Sequence, residues 1–200
     1  LKGKFIAFEG IDRSGKSTQA KLLCESLKRK GVPVILTHEP GATHVGEKIR
    51  EIILDTTMEI DPLAETFLFE ADRIQHVKRM IKPAIESGTW VISDRFFYST
   101  MAYQHGGKGV DKNLIETLNS IATDGIEPDI VFLIDISPST AMRRKGKPDR
   151  MEMEGIKFLN NVRNAYLEIA KHEKNFIVID GEKEIEEIQE LIWKEILKRF

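Results

Sequence analysis

The segment that most restricts this chain is Gly10-Ile11-Asp12-Arg13-Ser14-Gly15-Lys16-Ser17, which fits G-x-x-x-x-G-K-S/T. An apolar run from Phe5 to Glu9 precedes it, the length of a buried parallel strand. A helical pattern follows it to about Lys30, with Ala20, Leu23, Cys24 and Leu27 on one face and Gly31 ending it. A strand that turns through glycines into a helix start aims successive backbone N–H groups, and the positive end of the helix dipole, at one anion. The predicted site for the phosphates of a nucleoside triphosphate is therefore Gly10, Ile11, Asp12, Arg13, Ser14, Gly15, Lys16, Ser17 and Thr18. Lys16 is expected to reach the β/γ-phosphates as a point charge, and the Ser17 hydroxyl to ligate Mg²⁺.

Beyond this loop the pattern keeps alternating. Val32 to Thr37 reads as a strand, Glu39-Pro40-Gly41 as a turn, and the next stretch as a helix through Ile49, Ile52 and Ile53. A long helix is predicted from Pro62 to Glu86 with Phe67, Ile74, Val77 and Ile81 at helical spacing. Pro83 should kink or shorten it. Trp90 to Ser93 and Ile130 to Ile136 read as buried strands, each entering an Asp; Phe176 to Asp180 is the last strand and Ile185 to Phe200 the closing helix. Parallel strands need crossovers that pack on the sheet. The predicted fold is thus α/β: a P-loop NTPase with a doubly wound five-stranded parallel sheet flanked by helices, one domain over 1–200. The basic run Arg143 to Arg150 is read as a closing lid, about 141–151, and Gly106-Gly107-Lys108-Gly109 as a flexible connector.

Composition narrows the partners. Lys plus Arg total 30 against 32 for Asp plus Glu, a formal charge of −2, and a nucleic-acid backbone binder needs a basic excess. No run of about 18 apolar residues occurs, so no membrane partner is expected. Leu1-Lys2-Gly3-Lys4 leads straight into a strand rather than a signal peptide, and the expected location is cytoplasmic. The lone Cys24 forms no intrachain disulfide and is read as a buried structural thiol. His38, His44, His76, His105 and His172 show no ligand spacing and are read as incidental.

The phosphate loop alone does not separate kinases from switches and motors. A GTPase would carry an N/T-K-x-D segment, and none occurs; a motor usually ends its second motif strand in an acidic pair, where this chain has Ser93-Asp94-Arg95. An arginine after the acid suits a site that must neutralise a second anion. Asp94 is expected to join Ser17 at the metal, and Arg95 to bridge the two phosphates. Ser99, Tyr103 and Gln104 share a helical face in this reading, as do Phe69 and Arg73; with Arg50 they compose a nucleotide pocket.

At this point the chain resembles the thymidylate kinase family over nearly its whole length. The resemblance rests on Phe8-Glu9-Gly10-Ile11-Asp12, Glu39-Pro40-Gly41, Phe69-Glu70-Ala71-Asp72-Arg73, Asp94-Arg95 with Ser99 and Ala102-Tyr103-Gln104, and Thr123-Asp124-Gly125 with Pro128-Asp129. It implies an ATP-dependent phosphorylation of dTMP to dTDP, a step toward dTTP, by direct in-line transfer in a homodimer. It further implies that Phe69 stacks on thymine, that Arg73 and Gln104 bond its edge, and that Tyr103 crowds the ribose 2′ position. Arg50 and Arg95 match the arginines that hold the dTMP phosphate, Asp12 an acid at the sugar 3′-hydroxyl, and Glu39 and Ser99 complete the acceptor set. Lys16, Arg13, Asp94 and Arg95 form the implied catalytic set, with Arg143 of the lid over ATP.

Three positions depart from the family pattern. Ala42 stands where a second glycine is common, Phe96 where Tyr or His commonly follows Asp-Arg, and basic residues occupy both the phosphate loop (Arg13) and the lid. Which arginine supplies transition-state charge stays open at this stage. So do two rival readings: a kinase for another nucleotide or deoxynucleoside, and a nucleotide-dependent binding switch.

Overall fold

A computed structural model describes residues 2–144 and 154–200. The predicted lid therefore lies largely outside the described residues, from 145 to its end.

Five parallel strands form one sheet in the order β2-β3-β1-β4-β5: β1 Phe5–Glu9, β2 Val34–His38, β3 Trp90–Asp94, β4 Ile130–Asp135 and β5 Phe176–Asp180. Side chains alternate across a strand, so β1 sends Phe5 and Ala7 to one face and Ile6 and Phe8 to the other. The Phe5 face packs on Val77, Ile81, Phe96, Val162 and Tyr166. The Ile6 face packs on Leu23 and Leu27 of helix α1 (Lys16–Arg29) and on Ile188, Ile192 and Ile196 of the closing helix (Ile185–Arg199). Both faces are covered, which is why these strands read as continuous apolar runs.

The sheet begins its second strand two residues later than expected. Val32 N–H donates to the Leu27 carbonyl and so finishes the helix, and Pro33 has no N–H to give the ladder. Pro83 does not break its helix either. The span runs as α3 (Pro62–His76), a π-helical turn (Val77–Ile81) and a short helix (Lys82–Glu86), and Lys82 N–H reaches back to the Val77 carbonyl. Widening the turn before a proline absorbs the misfit between its ring and the preceding turn.

A second π-helical turn, Met101–Gly107, continues the short helix Phe97–Thr100. Gly106 and Gly107 lie inside it and are not a connector. A Cβ on Gly106 would stand 2.3 Å from the Ala165 Cβ, and one on Gly107 2.4 Å from the Phe158 ring, both residues of helix α8 (Gly155–His172). The glycines are there because two helices touch backbone to side chain. Cys24 is buried in the Leu23 layer, as a structural thiol should be. Phe96 is likewise fully buried, edge-on to Phe5 at 4.9 Å, and serves the core. Among the described residues no helix is long and apolar enough to cross a membrane.

Candidate active site

The carboxyl ends of β1 and β3 lie side by side, with Phe8 paired to Asp94, and the loops that leave them meet. At β1 the chain turns through Gly10 (φ 141°) and Arg13 (φ 63°) to Gly15 (φ 102°), which caps α1 in the left-handed conformation. A Cβ on Gly10 would fall 2.5 Å from the Ile134 carbonyl oxygen, so glycine is required there. Lys16 folds back to donate to the Ile11 carbonyl at 2.9 Å. Ser17 donates to Asp94 Oδ2, while Asp94 Oδ1 is buried with no hydrogen-bond partner among the described residues.

Arg95 follows in the left-handed region (φ 75°), a conformation that a non-glycine residue keeps only where its surroundings enforce it. Its N–H donates to the Phe8 carbonyl, and its guanidinium reaches Asp12 Oδ1, the Gly10 carbonyl, Ser99 Oγ, Tyr103 Oη and Tyr166 Oη. Tyr103 in turn donates to Asp12 Oδ2 at 2.6 Å and accepts from the Asp12 N–H at 3.1 Å. Behind this cluster the buried Glu9 carboxylate accepts from the Phe96 N–H, Ser99 and Tyr166.

Charge at the site is finely set. Burial by itself would raise the Asp12 carboxyl, but the Arg95 and Lys16 cations and the Tyr103 hydroxyl outweigh it and hold it at about 2. Lys16 moves the other way: burial first, then repulsion from Arg95, lower it to about 8 against the pull of Asp94, Asp12 and Glu9. Burial raises Glu9, with Arg95 and three hydrogen bonds opposing.

A cleft opens beside Arg95, with Phe69, Arg50, Tyr103, Gln104 and Ser99 in its walls. An aromatic plane beside convergent polar groups is the lining a nucleotide needs. Asp12, Glu39, Arg50 and Arg95 line both this cleft and the groove over Lys16 and Ser17, so two clefts share one charged partition. Arg50 Nη1 donates to the Pro40 carbonyl at 2.8 Å, which holds the side chain across that partition.

Two arginines stand elsewhere than expected. Arg73 is buried and does not line the cleft: its N–H groups go to Glu39, Glu70, Asn119 and Thr100. Arg143 is directed to Thr140 Oγ1, while Arg144 reaches the phosphate loop, donating to the carbonyls of Arg13, Ser14 and Gly181. His76 is not incidental; it is buried between Glu39 Oε1 (2.9 Å) and Thr37 Oγ1 (2.7 Å), fixing the loop after β2.

The thymidylate kinase family model matches residues 8–192. Thymidylate kinases of Thermosipho africanus and Fervidobacterium nodosum are 51% and 47% identical to this chain, over 92% and 98% of each chain respectively. The crystal structure of thymidylate kinase from Ehrlichia chaffeensis superposes with a TM-score of 0.82 at 36% identity, covering 98% of this chain and 99% of that one. The chain belongs to the thymidylate kinase family. It is an enzyme that phosphorylates dTMP, and the binding-switch reading falls away.

Within this thymidylate kinase scaffold, sequence reasoning missed a further wall beside the phosphate loop. Gly181, Glu182, Lys183 and Ile185 flank the phosphate loop beyond Arg144, in the loop that leaves β5. The available signal was Asp180-Gly181 at a strand's carboxyl end, where open α/β sheets bind ligands.

Proposed function

We propose that the groove over Lys16 and Ser17 takes ATP, that the Phe69 cleft takes dTMP, and that the γ-phosphate crosses the partition directly. The observation that carries this reading is Arg95: one guanidinium touches the phosphate-loop carbonyl of Gly10 and also walls the acceptor cleft. Phosphoryl transfer asks mainly for alignment and charge, and a cation shared by both anions supplies each.

In this reading Phe69 stacks on the base, a contact worth about 1–3 kcal/mol. Arg50 and Arg95 hold the acceptor phosphate, and Asp12 and Tyr103 meet the sugar. Arg73 acts from behind, fixing Glu39 and Thr100. Arg144 takes the role expected of Arg143, closing the phosphate loop beside Arg13. Ser17 and Asp94 suit Mg²⁺: a hydroxyl and a carboxylate, with one buried carboxylate oxygen unpartnered, match a hard cation that takes its other ligands from phosphate and water. The ion would neutralise charge between the β- and γ-oxygens. The chain works as one kinase domain, in the cytoplasm, as a homodimer. Apolar side chains left exposed on α3 and on helix α2 (His44–Leu54), namely Val45, Ile52, Leu63 and Phe67, favour that assembly.

A coupled assay over the common monophosphates tests the assignment. ADP should form one-for-one with dTDP and only when acceptor is present. Faster turnover of a purine monophosphate, or ADP release without acceptor, would refute it.

A further inference from the structure

A carboxamide can offer a nucleobase either its carbonyl oxygen or its amino group, according to a half-turn about its last bond. A freely turning glutamine would therefore read the edges of a 4-oxopyrimidine and a 4-aminopyrimidine alike. Gln104, in the cleft wall, is not free. Its Nε2 donates to Glu65 Oε2 at 3.0 Å, and Glu65 is fully buried in the first turn of α3. The Lys108 ammonium lies 3.1 Å from that same oxygen and 3.3 Å from Oε1, so Glu65 is an acceptor on both sides. A reversed Gln104 would set oxygen against oxygen in the interior, and buried polar groups left without partners are strongly disfavoured. The carbonyl oxygen is the end left for the cleft.

We propose that Glu65 is a positioning residue that sets base choice. By fixing the Gln104 amide it presents an acceptor to the ring N–H of a 4-oxopyrimidine monophosphate. It turns away a 4-aminopyrimidine, whose ring nitrogen at that position is itself an acceptor. The inference rests on the proposed function, in which the cleft walled by Phe69 and Gln104 takes the base. Among the described residues Glu65 is not in the walls of the grooves at the phosphate loop, so its effect falls on the acceptor base and leaves the donor alone.

The test compares kcat/KM for dUMP, dCMP and dTMP in the wild type, Glu65→Gln, Glu65→Asp and Gln104→Ala. The first two nucleotides lack the 5-methyl group, so their ratio isolates the ring edge. Glu65→Gln lets both carboxamides turn. The dUMP-over-dCMP preference should then fall at least about tenfold, a modest part of what a hydrogen-bonding site can discriminate. The dTMP:dUMP ratio and the KM for ATP should stay near wild type, and Glu65→Asp should restore most of the preference. If Glu65→Gln fails to fold, Glu65→Gln combined with Lys108→Gln removes the buried Glu65–Lys108 pair as a whole, leaving the half-exposed Glu154 to solvent, and carries the same expectation. A parallel loss on both nucleotides, with their ratio unchanged while Gln104→Ala lowers it, overturns the role of Glu65 and leaves Gln104 as the reader. A ratio unmoved by Gln104→Ala as well overturns both.

Discussion

Arg13 and Arg144 clasp each other through main-chain carbonyls. Arg13 Nη1 donates to the Arg144 carbonyl at 2.8 Å, and Arg144 Nη1 donates back to the Arg13 carbonyl at 2.8 Å. An arginine of the phosphate loop and one at the start of the basic run are thus joined in one unit. An arginine on the transferring phosphate is worth about 10³–10⁵ in rate, and groups that act as a unit are non-additive. Arg13→Ala should slow single-turnover transfer the most, Arg144→Ala less, and the double variant by less than the product of the two. Arg143→Ala, whose partner is Thr140, should stay within about twofold, as surface changes usually do. An additive double variant, or an Arg143 effect equal to that of Arg13, would break this account.

Lys16 gives the site a pH signature. Its folded value of about 8 lies below the ordinary 10.5 because burial and Arg95 disfavour the charge. Below about 8 the side chain is already protonated, and binding a triphosphate takes up no proton there. Above about 8 the unliganded lysine is neutral, so an incoming anion must draw a proton and ATP affinity falls as pH rises. The fold responds between about 8 and the ordinary 10.5: the buried charge weighs against stability below about 8, and that burden lifts as pH climbs. Calorimetry in buffers of different ionisation enthalpy should show proton uptake at pH 9 and none from this group at pH 7. Lys16→Ala should abolish both the uptake and turnover while the chain stays folded. Uptake that persists in the variant would assign it to another group.

Gly107 tests the packing of the second π-helical turn. An added methyl would stand 2.4 Å from the Phe158 ring, and overpacking of this kind costs about 1–3 kcal/mol. At Gly109 there is open space, so alanine meets only the strain of φ 75°. Gly107→Ala should lower the thermal midpoint more than Gly109→Ala does and should loosen Tyr103, four residues earlier in the same helical segment. Equal midpoints would mean that α8 is not seated as described.

Local signals were the legible ones. The phosphate loop declares itself because Gly10, Gly15, Lys16 and Ser17 act through spacing along one segment, and the strands because alternating residues of a buried run face two covered layers. What sequence could not supply depends on distant partners. At its i, i+4 spacing from Phe69, Arg73 read as a donor beside an aromatic plane. Its burial follows from Glu39, Glu70, Thr100 and Asn119, which four separate segments bring together. Arg143 and Arg144 are adjacent and chemically alike; only the extended backbone of Arg144 at the end of its helix (φ −69°, ψ 127°) turns it to the cradle. Gly106-Gly107 looked flexible because its reason lies on α8, more than fifty residues away.

The central claim is one direct transfer across the Arg95 partition, and the stereochemistry at phosphorus tests it most directly. With ATP made chiral at the γ-phosphorus by oxygen isotopes and thio substitution, a single in-line displacement onto dTMP inverts the configuration. The account predicts complete inversion in the dTDP analogue formed. Retention would mean that a side chain carries the phosphate between the two nucleotides, and would contradict it.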